Sequence, residues 1–181
     1  VILACGSQER PLVFDNNDLP GVMLSTAVRA FAERYAALPR RRIVISTNND
    51  DGYRTAEVLK NYGVEIVAII DARTNVTAKM QRLKDMGVLV LMGAIPQKAH
   101  GWQQTSSLSV QSVSGEFIEK IDCDCVAVSG GFSSDVHLAS QTGAAPIWNN
   151  DLQSFIPAIP IRAERSVGAG HGSFGLADCL I

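Results

Sequence analysis

The chain has 181 residues, 46% of them hydrophobic, with a formal net charge of −2. That is enough apolar material for a buried core in one domain, or one domain and part of another. It is too little charge to gather nucleic acid or an anionic membrane, and the short run Arg40, Arg41 and Arg42 reads as a solvated turn.

No apolar run is long enough to span a bilayer and Val1 has no basic signal-peptide segment ahead of it, so a cytoplasmic setting is expected. The cysteines Cys5, Cys123, Cys125 and Cys179 have neither zinc-site spacing nor disulfide-scaffold density. Cys123 and Cys125, two residues apart, are expected on one face of a strand as small packing groups. His100, His137 and His171 are scattered with no pair at helical ligand spacing, so no metal site is expected.

In chain order, "VILACG" at Val1–Gly6 reads as a buried strand, and "RPLVFDNNDLPG" as a Pro- and Asn-rich connector. From Val22 to Ala37 the residues Met23, Ala27, Ala30, Phe31 and Tyr35 recur at helical spacing, and Pro39 ends the run. A βαβ unit follows: strand Ile43 to Ser46, helix Asp51 to Tyr62 closed by Gly63, strand Glu65 to Asp71. "VEIVAIID" is continuously apolar, as a central parallel strand covered on both faces requires. A helix from Val76 to Met86 ends at Gly87 and leads into the strand "VLVLMG".

The alternation of "TSSLSVQSVSGEF", Thr105 to Phe117, predicts a small antiparallel meander turning at Ser114 and Gly115. "CDCVAVSGG" resumes the buried parallel type, a helix is expected from Ser134 to Gln141, and Trp148 to Ala163 reads as loop. "FGLADCLI" reads as a helix cut short, and both ends suggest a piece of a larger polypeptide. The fold class is therefore α/β: a Rossmann-like parallel sheet with helices on both faces plus a small antiparallel β-meander.

In a dinucleotide fold the first strand-to-helix turn brings backbone N–H groups and a positive helix end against a pyrophosphate, and glycines allow close approach. Here the turn holds Thr47, Asn48, Asn49 and Asp50, with Gly52 its only glycine. Side chains stand where phosphate oxygens would approach, and Asp50 and Asp51 add negative charge. Replacing both with glycine is therefore expected to raise NAD affinity. Asp71 ends the next strand at the distance of the ribose-binding acid, which favours NAD over NADP, although the nearby Arg73 blurs that choice.

A literal glycine fingerprint, Gly170, Gly172 and Gly175 in "GHGSFG", lacks room for a second strand before the chain ends and reads as a tight turn. No nucleophile-elbow signature occurs, so no catalytic residue is assigned; His137 reads as structural, and Trp102 and Trp148 as core satellites or partner contacts.

"ACGSQERPLVF", "DLPGVM", the βαβ unit, the meander, "VAVSGGFSSDVHLASQTG" and "VGAGHGSFGLADCL" occur in an order that resembles two-dinucleotide-domain flavoproteins of the pyridine nucleotide-disulfide oxidoreductase type. Within them, "ERPLVFDNNDLPGVM" and "STNNDDGYRTAEVLKNYGVEIVAIIDAR" are similar to the alpha subunits of heterotetrameric sarcosine oxidases. The resemblance implies a bacterial complex that oxidatively demethylates sarcosine, with flavin on the beta subunit, folate as formaldehyde acceptor and NAD on the alpha subunit. It implies other oxidase subunits as partners, and exposed sheet edges add a homodimer of the fragment as an alternative pairing.

By that resemblance residues 1–20 are a strand and linker from a neighbouring FAD/NAD-type domain, 21–128 the Rossmann-like domain with its meander, and 129–181 a return segment. Thr47, Asn48, Asn49 and Asp50 would face phosphate and Asp71 ribose, with Gly130, Gly131, Gly168 and Gly170 bordering the neighbouring nucleotide site. The segment aligned with the family's flavin motif reads Ala169, Gly170, His171 and lacks its acid, and no Cys-x-x-x-x-Cys redox pair exists, which excludes disulfide-reductase chemistry. The expectation is a degenerate dinucleotide domain that binds no cofactor and performs no catalysis by itself. Rival expectations are the same module in an opine oxidase, hydrogen cyanide synthase or proline dehydrogenase subunit, or a non-catalytic docking domain.

Overall fold

The computed structural model describes residues 1–180, in which two compact units are distinguished. One is Pro11–Gly131; the other joins Val1–Arg10 to the segment from Phe132 onward. The two units part at Arg10 and at Gly131. The reason is packing: connector residues Leu12, Phe14 and Leu19 lie against the core of the first unit. The connector is also tied to the chain's later strand, since Asp15 N–H donates to Gln97 O at 3.0 Å and Ala99 N–H to Asp15 O at 2.9 Å.

The first unit is built on a five-stranded parallel sheet in the order Val22–Leu24, Cys125–Ser129, Arg42–Thr47, Glu65–Asp71, Val90–Met92. Its central strands are rich in Val, Ile and Ala, buried on both sides, as sheets covered on both faces demand. Strand alternation divides these residues between two cores. Ile43, Ile45, Ile69, Cys125 and Ala127 face helices Ser25–Tyr35, Asp50–Asn61 and Ala78–Asp85, through Val28, Tyr53, Leu59, Met80 and Leu83. Val44, Ala68, Ile70, Val126 and Val128 face the other way. Ile66 and Ile69 share a face despite a spacing of three because the register slips at Val67, where Ile43 pairs with Ile66 but Val44 with Ala68.

The second face is covered by the meander and the connector. Strands Ala94–Gly101, Thr105–Ser112 and Phe117–Asp122 form a three-stranded antiparallel sheet that contributes Ala94, Ala99, Leu108, Val110 and Ile121 to this core. The expected meander is present, with one more strand than the alternation indicated: Ala94–Gly101 contains Pro96, and its register breaks between Pro96 and Lys98 and again at Gly101.

Helix ends follow local chemistry. Thr77 accepts from Met80 N–H at 3.3 Å and opens the third helix at Ala78, two residues later than its apolar pattern suggests. Gly63, at φ +73°, and Gly87, at φ +80°, follow the ends of their helices in the left-handed region that closes a helical turn. Two expectations are corrected. Val22–Leu24 is a strand beside Cys125–Ser129, so the first helix starts only at Ser25. Cys123 and Cys125 do not share a face: Cys123 packs in the meander core and Cys125 in the helix core. Between them Asp124 turns the chain, its carboxylate accepting from the N–H groups of Arg41 and Arg42 at 3.4 and 2.9 Å, so the pleat is not continuous.

The second unit pairs the two ends of the chain. Ile2–Leu3 runs parallel to Arg165–Ser166, and Ser7–Glu9 antiparallel to Phe132–Ser134. The helix expected over Ser134 to Gln141 is confined to His137–Ser140, because the chain is still in a strand at Ser134. The stretch read as loop contains a hairpin, Ile147–Asn149 with Ser154–Ile156. Asn149 Oδ1 accepts from Asp151 and Leu152 N–H at 2.9 and 3.0 Å, and the rings of Trp148 and Phe155 meet edge to face at 5.1 Å. Among the described residues no helix is long and apolar enough to cross a membrane.

Candidate functional site

Open α/β sheets bind ligands beyond the carboxyl ends of their parallel strands. In the first unit this edge carries the turn Thr47–Asp50, the strand end Asp71–Arg73 and the glycines after Ser129. It thus brings together Thr47, Asn48, Asn49, Asp50, Asp71 and Gly130; Gly131 follows directly, at φ +88°. Gly168 and Gly170 belong to the second unit, in the 3-10 turn Gly168–His171, where a Cβ on Gly170 would stand 3.4 Å from the backbone of Gly6.

The turn is closed by its own side chains. Thr47 Oγ1 donates to Asn49 O at 2.9 Å and accepts from Asn49 N–H at 3.1 Å. Asn49 caps the second helix, its Oδ1 accepting from Asp51 N–H at 2.9 Å, while its Nδ2 donates to Ser129 O and Oγ at 3.0 and 3.2 Å. Asn48 N–H donates to Ser129 O at 3.3 Å, and Asn48 Nδ2 to Gly130 O at 3.4 Å. The N–H groups of Asn48, Asn49 and Asp51, which a phosphate would use, are therefore bonded within the protein.

The turn's glycine has another role. A Cβ on Gly52 would stand 2.6 Å from both Cβ and Oγ1 of Thr47, so glycine here permits close packing of helix on strand. That contact explains a lone glycine three residues past the usual phosphate position.

Asp71 is fully buried, with 0% exposure. Its Oδ1 accepts from Arg73 N–H at 2.9 Å and Nε at 3.1 Å; its Oδ2 accepts from Tyr53 OH at 2.7 Å and from Arg73 Nη2 at 2.9 Å. The same guanidinium reaches Asp50 at 3.0 Å and lies 5.8 Å from the Tyr53 ring centroid. Burial raises the Tyr53 phenol's pKa, and the hydrogen bond to Asp71 raises it further. Burial alone would lower that of Arg73, but its bonds to Asp71 and Asp50 prevail and raise it. Asp51, the other acid of the first helical turn, pairs with Arg29 at 3.1 Å. The network is a set of charge-assisted bonds that joins helix start to strand end.

Beside the turn lies a cleft of about 150 Å³ lined by Ser46, Thr47, Asn48, Ala72, Ile95 and Pro96 among others. That volume is below the about 300–1,000 Å³ usual for ligand pockets. Among the described residues no group of three or more His, Cys, Asp or Glu side chains could hold a metal ion.

Sequence reasoning weighed Arg73 only as a nucleotide selector and passed over Tyr53 and Ser129. The available signal was a tyrosine three residues into a helix and an arginine two past a buried acid. Neither spacing specifies that all three meet.

This fold is shared with solved structures of thioredoxin reductases and of a pyridine nucleotide-disulphide oxidoreductase. The chain superposes on T. acidophilum thioredoxin reductase with a TM-score of 0.76 at 17% identity, covering 99% of this chain and 60% of that one. An FAD-dependent pyridine nucleotide-disulphide oxidoreductase from Desulfovibrio vulgaris gives 0.61 at 17% identity, over 85% and 44%.

In sequence the chain is related, over nearly its whole length, to sarcosine oxidase alpha subunits. It is 36% identical over 187 residues to that of Corynebacterium sp. (strain P-1), covering 99% of this chain and 19% of the relative, and 34% identical over 183 residues to that of Rhizobium meliloti (strain 1021), covering 99% and 18%. An opine oxidase subunit of Agrobacterium tumefaciens (strain Ach5) is 25% identical over 175 residues, 87% of this chain and 35% of that one. The chain thus spans about a fifth of the length of the sarcosine oxidase subunits it matches. No protein-family model matches it.

Proposed function

We propose that this chain supplies a degenerate dinucleotide-binding domain to a sarcosine oxidase-like alpha subunit, within a cytoplasmic hetero-oligomeric complex that oxidatively demethylates sarcosine. The observation that carries this reading is similarity to such subunits along 99% of the chain, joined to a Rossmann-like sheet whose ligand edge is intact in outline. In this reading NAD is a cofactor of the full subunit, the chain alone binds none, and it performs no catalysis of its own. Thr47, Asn48, Asn49, Asp50 and Asp71 mark the ancestral ligand edge. Gly130, Gly131, Gly168 and Gly170 border the nucleotide site of the larger protein.

The 25% identity to an opine oxidase subunit favours one second reading, the same module serving oxidation of a different secondary amine. One experiment separates the two. The intact protein that contains this chain is purified with its partner subunits and supplied with sarcosine, an opine or proline while oxygen uptake is recorded. Sarcosine-dependent uptake is expected. Uptake with the opine alone replaces the first reading by the second, and none with any amine overturns both.

A further inference from the structure

The dinucleotide that this fold family implies can be tested against the residues present, and they do not fit it. A seated dinucleotide needs turn N–H groups aimed at its pyrophosphate and an accepting acid at its ribose. Here the turn N–H groups of Asn48, Asn49 and Asp51 are bonded to Ser129, Thr47 and Asn49. The acid has no exposed surface and both of its oxygens are taken. The negative charges of Asp50 and Asp51 are countered by Arg73 and Arg29. Charge repulsion is thus not the main obstacle; the edge is occupied by the protein itself.

We infer that Asp71, Arg73, Asp50 and Tyr53 form an internal clasp that does the work a nucleotide does in related folds, joining helix start to strand end, and that it closes this edge to dinucleotides. The inference rests on the reading of the chain as a dinucleotide-type domain, and it locates any NAD of the larger protein elsewhere. Arg73 is central because one guanidinium bonds both the buried carboxylate and the carboxylate of the first helical turn. Removing one partner of a buried pair leaves an uncompensated charge, whereas removing both does not. That asymmetry makes the clasp testable without any ligand.

Thermal unfolding of the 181-residue chain provides the first measurement. Arg73→Ala is expected to lower Tm by about 10 °C, and Tyr53→Phe by about 4 °C. Adding Asp71→Asn to Arg73→Ala should recover about half of the loss, because the stranded charge is gone. If Arg73→Ala is too unstable to purify, that failure is itself the expected loss, and the double variant, which has no stranded charge, should purify and unfold cooperatively. No loss in Arg73→Ala, or no recovery in the double variant, overturns the clasp.

The second measurement follows amide resonances of the ¹⁵N-labelled chain during titration with NAD to millimolar concentration. The amides of Asn48 to Asp51 and Ala72 to Arg73 are expected not to move, in the native chain and in Asp50→Gly/Asp51→Gly alike. Saturable shifts at those amides in the native chain refute closure of the edge, and shifts confined to the double glycine variant restore charge repulsion as the obstacle. Neither measurement depends on amine oxidation, so failure of the proposed activity and failure of the clasp are distinguishable.

Discussion

The two units hold themselves together by different means. In Pro11–Gly131 the buried side chains form one apolar core on each face of the parallel sheet, with Ile43, Ile45, Leu59, Ile69 and Ile70 wholly inaccessible. Among the described residues of the other unit the buried set is sparse, Ala139, Pro157, Gly170 and the small polar residues Ser134 and Ser154, while Ile2, Ile147, Trp148, Phe155, Ile159 and Ile161 are exposed. Apart from the hairpin Ile147–Asn149 with Ser154–Ile156, its short strands pair across large sequence distances, as Val1 N–H₃⁺ to Ala163 O at 2.7 Å illustrates. A sheet covered on both faces excludes water from its hydrogen bonds and gains from apolar burial at the same time. Short exposed pairings gain little of either.

The largest effect that could break this contrast is a core truncation. Ile69→Ala should destabilise the chain by about 3–4 kcal/mol, whereas Phe155→Ala, on a half-exposed ring, should cost about 1 kcal/mol. Urea unfolding followed by circular dichroism measures both, and equal costs would erase the distinction. Next in size is Gly52→Ala, which forces a Cβ to 2.6 Å from Thr47 and should cost about 2–3 kcal/mol. Thr47→Gly in the same chain should return part of that loss if the contact is its cause.

A smaller, chemical contrast comes from the cysteines. Cys123 and Cys125 are buried, and burial, reinforced by Asp124, pushes each thiol up to about 12; Cys5 and Cys179 are exposed. Mass spectrometry after brief alkylation at about pH 8, near the ordinary thiol range, should find label on Cys5 and Cys179 and none on the other two until the protein unfolds.

The least effect belongs to His100, on the meander, whose Nε2 lies 2.7 Å from Ser109 Oγ. Desolvation, with Lys120 and Lys98 nearby, lowers its pKa, so the fold favours the neutral ring. Stability from this group is present above about pH 6.5 and is lost as pH falls through the depressed folded value. Proton NMR of the ring should place its midpoint below that of His100 in the unfolded chain.

Much of the first unit was legible because its strands and helices carry their own periodicity. Glu65–Asp71 falls where its apolar run places it, and Gly63 and Gly87 stop their helices where a left-handed residue is required. Val22–Leu24 was absorbed into the adjoining helix because three apolar residues suit either period and only pairing with Cys125–Ser129 decides between them. The hairpin Ile147–Asn149 with Ser154–Ile156 escaped notice because an asparagine turn and one aromatic pair, not alternation, define it. At the candidate site the residue positions were legible and their partners were not. Asp71 reads as an acid at the end of a strand, and nothing in that spacing says that Tyr53 and Arg73 bury it.

Local order along the chain was enough to specify the βαβ unit, the parallel sheet with its meander, and the crowding of the turn by Thr47 and Asn49, because propensity, periodicity and side-chain size act over a few neighbouring residues. Packing in three dimensions was needed to settle which core each strand face entered, that Cys123 and Cys125 part company, and that Arg73 ties Asp71 to Asp50. Those outcomes depend on groups distant in sequence meeting where water is excluded, and hydrogen bonds and charges acquire their partners only there.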